Sequence, residues 1–480
     1  MSIFTNIKDE VFRKAPKIKN ETASFVLLES GLAEQVYDPE TDKSSFAVID
    51  KTDNKVRYQP FVRSKTGKRV FPIPETSSII KNSIVLFPSK AEIYSSEKKL
   101  LQEIQAFIHR YLEVGPIFEK IGSHYVLFSW LYDNFQELPY LRLLGDYGTG
   151  KSRGLRVLGS IAYKPIFAGG STSPSPIFRL LNNVAGTFIL DEADFKVSET
   201  YADIIKILNC GFQKGIPVLR SEGSSGKKFE VKSFNVFGPK IISTREPFKD
   251  LALESRCLTH NTEEMLRKDI PYNLPNSFDE EALHIRNKLL LWRLANWGEK
   301  QIEPSLADRS VAPRLNQILL PLLAIVKDKD IQRDIRGFIR GYNQELREDR
   351  GSLFEAEVLE ELVKILRNPE TEASVKNITN AMNERYGKNE VSFKGKKFHP
   401  NTIGNILRKK LRIRPERIGI SGNYAINKVK YRERIGQLMD KYNVPRSFED
   451  KTDAELQKEA ENLLTEATEP PEPILGGREK

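Results

Sequence analysis

Cysteine is nearly missing from this chain: Cys210 and Cys257 are the only two in 480 residues. A disulfide framework is therefore excluded, and two thiols cannot build a Cys-type zinc centre by themselves. The five histidines, at 109, 124, 260, 284 and 399, are scattered without metal-ligand spacing, so a metal held only by side chains is not expected. Long apolar runs are also lacking. The longest near-continuous one, Ile318–Val326, contains Pro321 and is too short to cross a bilayer. The first residues, Met1-Ser-Ile-Phe-Thr-Asn-Ile-Lys8, show no basic segment leading into an apolar one. The expectation is a cytoplasmic protein with no membrane association.

Charge is plentiful and unevenly spread. The net is +10, from 75 basic against 65 acidic residues. Residues 446–480 hold ten acids and five bases, a net of −5, which leaves +15 for residues 1–445. Val391–Arg432 alone carries twelve Lys or Arg against the single acid Glu416. So dense a patch suits a phosphate backbone, although a solvated charged face is the plainer alternative.

The length suits roughly three domains. Residues 1–95 mix β-rich runs (Ser24–Leu28, Phe46–Ile49, Ser83–Phe87) with turn signals and read as a small, mostly β domain. Helical spacing starts at Ser96 and leads, with a second helix over Tyr125–Phe135, into an α/β core over 96–273. Residues 274–347 read as a helical lid. A linker near Arg347–Gly351 precedes a last folded unit over 351–432. Residues 433–480 read as a helical, then acidic and Pro-rich, flexible tail.

Gly145-Asp146-Tyr147-Gly148-Thr149-Gly150-Lys151-Ser152 fits G-x-x-x-x-G-K-[ST], between the strand-like Tyr140–Leu144 and the helix-compatible Arg153–Ser160. Glycines 145, 148 and 150 let backbone N–H groups face the phosphates of ATP. Lys151 reaches the β- and γ-phosphates, and Ser152 offers an oxygen to Mg²⁺. Forty residues beyond Lys151, an apolar strand ends in Asp191 and Glu192. Carboxylates at the C-terminal end of a buried parallel strand lie where ligands bind: Asp191 for the metal, Glu192 to polarise the attacking water. Asp194 reads as a helix cap. Pro239–Arg245 is a further strand with a polar tip, in which Thr244 is the favoured γ-phosphate sensor. Arg256, after Leu251–Ser255, is a candidate cation for a neighbouring subunit's site, with an internal ion pair as its alternative role.

In this order the motifs resemble those of AAA+ ATPases over about Ser96–Ile325. They are most similar to the helicase-like ATPases of plasmids, phages and mobile elements, and distantly to minichromosome-maintenance and superfamily 3 helicases. Gly170–Arg179 and Leu138–Arg142 look like segments of that branch; Ser243-Thr244-Arg245, where many AAA+ proteins have asparagine, departs from the family. The resemblance implies a ring or arc of identical subunits, with a hexamer as the candidate size. Ile216–Arg220 and Lys227–Val231 flank a Gly/Ser turn and resemble the pre-sensor hairpin of ring helicases. Arg220, Lys227 and Lys228 near its tip are candidate contacts to a single strand in the channel.

Beyond Gly351 come helices over Leu353–Leu366, Ser374–Tyr386 and Thr402–Leu411, then a two-stranded wing. The unit resembles winged-helix DNA-binding domains. In the third helix, with Asn401 as its cap, Ile403, Ile406, Leu407 and Leu411 form the apolar stripe. Thr402, Asn405, Arg408, Lys409 and Arg412 then face outward toward duplex DNA, with Arg417 on the wing. The sequence thus points to an ATP- and Mg²⁺-dependent DNA translocase or helicase of replication type. An origin-binding initiator or helicase loader that uses ATP as an assembly switch is the alternative; a transcriptional activator ATPase is weaker, for want of a polymerase-contacting loop.

Overall fold

The computed structural model describes residues 21–29, 31–50, 52–191, 199–222, 230–298, 302–351, 353–368, 370–388, 397–418 and 423–445. The chain divides into two units, residues 1–340 and 341–480, and the division falls within one helix, Lys329–Gly351. The linker expected at Arg347–Gly351 is the last turn of that helix. Its residues, Arg-Glu-Asp-Arg, contain no proline, and arginine and glutamate propagate a helix well.

At the centre of the first unit is a parallel five-stranded sheet. Its strands are Tyr140–Leu144, Ile166–Ala168, Phe188–Leu190, Lys240–Thr244 and Cys257–Asn261. Counted in chain order, they lie side by side as fifth, first, fourth, third, second. The fourth strand is thus inserted between the first and the third, with Ile241 opposite Leu141 on one side and Ile189 on the other. All five residues of Lys240–Thr244 are buried, as a central parallel strand requires. The second strand escaped the sequence reading because it is only three residues long, between Pro165 and Gly169.

The helix expected over Tyr125–Phe135 runs over Pro116–Ser129 instead, and a 3₁₀ turn covers Tyr132–Asn134. Pro116 at the first helical position sets its start. Helix Phe278–Asn296, the first of those expected to form a lid, packs on the helix that follows the glycine-rich loop. Arg286 donates to the Ser160 carbonyl (2.6 Å) and Arg156 pairs with Asp279 (2.7 Å).

The N-terminal strands form a four-stranded antiparallel sheet (Phe25–Leu27, Leu32–Asp38, Lys43–Asp50, Lys55–Gln59) and a separate three-stranded one. A buried polar cluster joins the four-stranded sheet to the core. The Glu34 carboxylate meets Lys164 (2.7 Å), Arg293 (2.7 Å) and the Tyr163 hydroxyl (2.9 Å), and Arg293 also grips Asp133 through two 2.8 Å bonds. Lys164 also donates to the Ser24 carbonyl, and burial pulls its pKa down to about 8. Burying these charges is tolerable only because each finds partners.

The second unit has helices Phe354–Arg367, Val375–Lys388 and Pro400–Ile406, an antiparallel pair Glu416–Ile418 and Asn423–Ala425, and helix Lys428–Tyr442. Ser374 bridges to Ala425, adding a third extended segment to that pair. Leu359, Leu362, Ile378, Ile403, Leu407 and Leu411 are among its fully buried core residues.

Candidate nucleotide site and nucleic-acid interface

The loop Gly145–Gly150 joins the first strand of the sheet to helix Lys151–Ile161. Gly148 and Gly150 have φ of 76° and 79°, a region that costs a side-chain-bearing residue energy. Gly145 is needed for another reason: a Cβ there would collide with the hydroxyl and carbonyl of Thr262, just past the fifth strand. Thr149 bonds to the Asp146 carbonyl and to Thr262, both at 2.8 Å, which ties the loop to that strand's end. Helix Lys151–Ile161 presents its first N–H groups at the loop, a setting that favours anions. The Lys151 ammonium lies back across the loop and donates to the Asp146 carbonyl, while Ser152 is exposed in the first turn.

Asp191 follows the third strand. Its Oδ1 accepts a 2.6 Å bond from the Ser243 hydroxyl of the inserted fourth strand. Alternation along that strand turns the next residue to the other side. Thr244 is 1% exposed, and its hydroxyl has no hydrogen-bond partner. Its carbonyl accepts the Gly145 N–H (3.2 Å), so the fourth strand braces the start of the glycine-rich loop directly. Glu192 and Asp194 lie outside the described residues.

Arg245, which the sequence reading passed over in favour of Thr244, lies against the loop. Its guanidinium carbon is 3.8 Å from the centre of the Tyr147 ring, and it donates to the Tyr147 hydroxyl. Tyr147 is 71% exposed, and at so open a site the stack is worth only about 0.5–1 kcal/mol. The sequence signal for it was a cation at the tip of a buried strand; nothing there disclosed the ring opposite.

Arg256 sits elsewhere. Helix Leu251–Glu254 is capped by Asp250, and Arg256 follows it at the start of the fifth strand, 8% exposed. It donates to the Asn209 side chain and stacks on Phe212 at 4.0 Å, and its Nε–H has no acceptor. Burial lowers its pKa. Cys257 is level with Tyr140, at the opposite end of the first strand from the loop. Four residue steps of strand, about 13 Å, separate the two ends, so Arg256 cannot act on its own chain's loop from this position.

A donor set for Mg²⁺ would be small. Among the described residues no cluster of three or more His, Cys, Asp or Glu side chains could hold a metal. One hydroxyl, Ser152, and one carboxylate, Asp191, remain; both are hard oxygen donors suited to an ion that arrives with phosphates and keeps several waters.

The hairpin is present, with Val218–Glu222 pairing antiparallel to Glu230–Phe234. Lys227 and Lys228 lie outside the described residues. Arg220 is paired with Asp203 (3.0 Å) and lies over Phe178. Phe178 in turn packs on Phe234 at 4.6 Å, so the hairpin's base is anchored to helix Pro174–Val184. In the second unit Thr402, Asn405, Arg408, Lys409, Arg412 and Arg417 are all exposed, opposite the buried Ile403, Leu407 and Leu411. The helix begins two residues before the expected cap. His399 is the N-cap, its ring accepting from the Asn401 N–H (3.2 Å), because Pro400 is well suited to the first helical position. A wider π-type turn, Leu407–Leu411, ends it, and Arg412 takes a φ of 59°.

No protein-family model and no curated protein matches the chain. Among solved structures, the chain is similar to an apo form of the C-terminal region of NrS-1: 11% identity, 82% of this chain and 95% of that one, TM-score 0.35. It is also similar to SCCmec type IV Cch, described as an active helicase: 13% identity, 87% of this chain and 80% of that one, TM-score 0.38. Likenesses this distant say nothing about chemistry, which the residues themselves must carry.

Proposed function

We propose that the chain is an ATP-hydrolysing, DNA-binding motor of replication type, with an AAA+ core and a C-terminal winged helix. The observation that carries this reading is the inserted fourth strand. It bonds the glycine-rich loop through the Thr244 carbonyl and bonds Asp191 through the Ser243 hydroxyl, so one rigid element joins the loop to the acidic pair. Backbone N–H groups of residues 145–152 hold the β- and γ-phosphates and Lys151 neutralises them. Glu192 takes a proton from water as it attacks the γ-phosphorus, and the bond to the β,γ-bridging oxygen breaks with its electrons leaving on ADP. Bound Mg²⁺, held by Ser152 and through water by Asp191, neutralises phosphate charge. Arg256, too far from its own loop, serves a neighbouring subunit, which implies a homo-oligomer such as a hexamer. Its side chain must then leave Asn209 and Phe212.

The exposed cations of helix 400–411 and Arg417 bind duplex DNA, and the hairpin engages a single strand. One observation favours the switch reading, an initiator or loader: Arg220, expected to serve DNA, is held by Asp203. The experiment is direct. Lys151→Ala should weaken ATP binding at least tenfold, while Glu192→Gln should bind ATP like the parent and lose a hundredfold or more in turnover. Equal hydrolysis by parent and Glu192→Gln would remove that carboxylate from the mechanism.

A further inference from the structure

We infer that Arg245 reads the γ-phosphate within its own chain, and that Tyr147 holds it ready beside the loop. The inference rests on the nucleotide reading of residues 145–152. Thr244 lies level with Leu144, the last residue before the loop, so Arg245 emerges beside Gly145. Its guanidinium lies on Tyr147, a residue of the loop itself, stacked at 3.8 Å and bonded to the ring's hydroxyl. The same strand touches Asp191 through Ser243. A cation at this junction stands between the loop and the acidic pair, where the third phosphate of a nucleoside triphosphate separates the two.

The two phosphates of ADP are already served by the loop amides and Lys151, whereas a third brings further charge toward the acidic side. A guanidinium offers paired N–H donors for its oxygens. The hold on Tyr147 is an exposed contact, easily exchanged for charge-assisted bonds to phosphate. Thr244 cannot play this part as placed, since its hydroxyl is sealed on the other side of the strand. Arg245 therefore distinguishes ATP from ADP, and its stack on Tyr147 breaks when ATP binds.

The test uses full-length protein carrying Glu192→Gln, so that ATP persists, with ATP and ADP affinities measured by calorimetry. Adding Arg245→Gln should weaken ATP binding about tenfold or more and change ADP binding less than about twofold. Arg245→Lys should recover part of the loss, because it restores charge without the planar fork. Thermal melting of each variant checks that it is folded. Parallel loss of both nucleotides, or no loss of either, overturns the inference while leaving the loop's role intact. If the Glu192→Gln parent binds neither nucleotide, the underlying reading fails and the inference falls with it.

Discussion

Ser243 and Thr244 are adjacent hydroxyl residues with opposite circumstances. The first is buried and bonded to Asp191, the second buried with no partner. An unpartnered buried hydroxyl costs about 1–3 kcal/mol, and an isosteric methyl removes that cost without opening a cavity. Thr244→Val should therefore leave the protein as stable or stabilise it by about 1 kcal/mol, read as a raised Tm. Ser243→Ala should instead lower turnover severalfold with little change in ATP affinity, because Asp191 loses the hydroxyl that orients it. A fall in Tm for Thr244→Val would mean that its hydroxyl has a partner in solution. The sequence showed that a polar pair ends this strand. Which member faces the acid depends on the register against its two neighbours, and that becomes visible only once the sheet is assembled.

At the scale of elements, Lys240 joins three chain segments with no acid beside it. Its ammonium donates to the carbonyls of Gly211, Val236 and Gly238, at 3.2, 3.1 and 2.8 Å, where a helix end, the hairpin's exit and the inserted strand converge. Gly211 must be glycine here, because a Cβ would sit 2.5 Å from that ammonium. Full burial pulls the lysine's pKa down to about 7, far below its value in an unfolded chain. Between about pH 7 and 10 the unfolded state therefore binds more protons, and stability rises with pH. Lys164, depressed to about 8, acts in the same direction. Melting curves across that range should show Tm climbing, and Lys240→Met should flatten part of the climb; an equally steep climb in the variant would show that Lys240 is not its source. None of this was legible beforehand, since a lysine opening a strand reads as solvated. The glycine-rich loop, its flanking strand and helix, and the apolar stripe of the third C-terminal helix were legible, because each is fixed by local spacing. The edge strand Ile166–Ala168 and the 23-residue helix Lys329–Gly351 were not, being set by the sheet beside one and by an unbroken run of helix formers in the other.

For the whole molecule, the decisive matter is how its two groups of exposed cations divide the work. Arg408, Lys409 and Arg412 lie in the second unit, opposite a well-packed apolar stripe, so replacing them should spare the fold. Lys227 and Lys228 follow the hairpin's first strand in the first unit. If the first group grips duplex DNA, the triple alanine variant should lose affinity and a shallower salt dependence should remain. Each phosphate contact removed takes about 0.9 from the log–log slope, so up to about 2.7 for three. If the second group holds the strand being moved, Lys227→Ala with Lys228→Ala should abolish strand displacement on forked DNA and DNA-stimulated hydrolysis. It should leave ATP affinity and duplex affinity near those of the parent, because neither lysine belongs to the loop or to the third C-terminal helix. An ATP-driven switch predicts something else: the double variant hydrolyses ATP as the parent does and differs at most in assembly on DNA. Arg220 makes this comparison sharper, since its pairing with Asp203 leaves any grip on the strand to the two lysines. Parent-like unwinding by the double variant would exclude the hairpin as the moving contact and leave the switch as the reading that the remaining cations support.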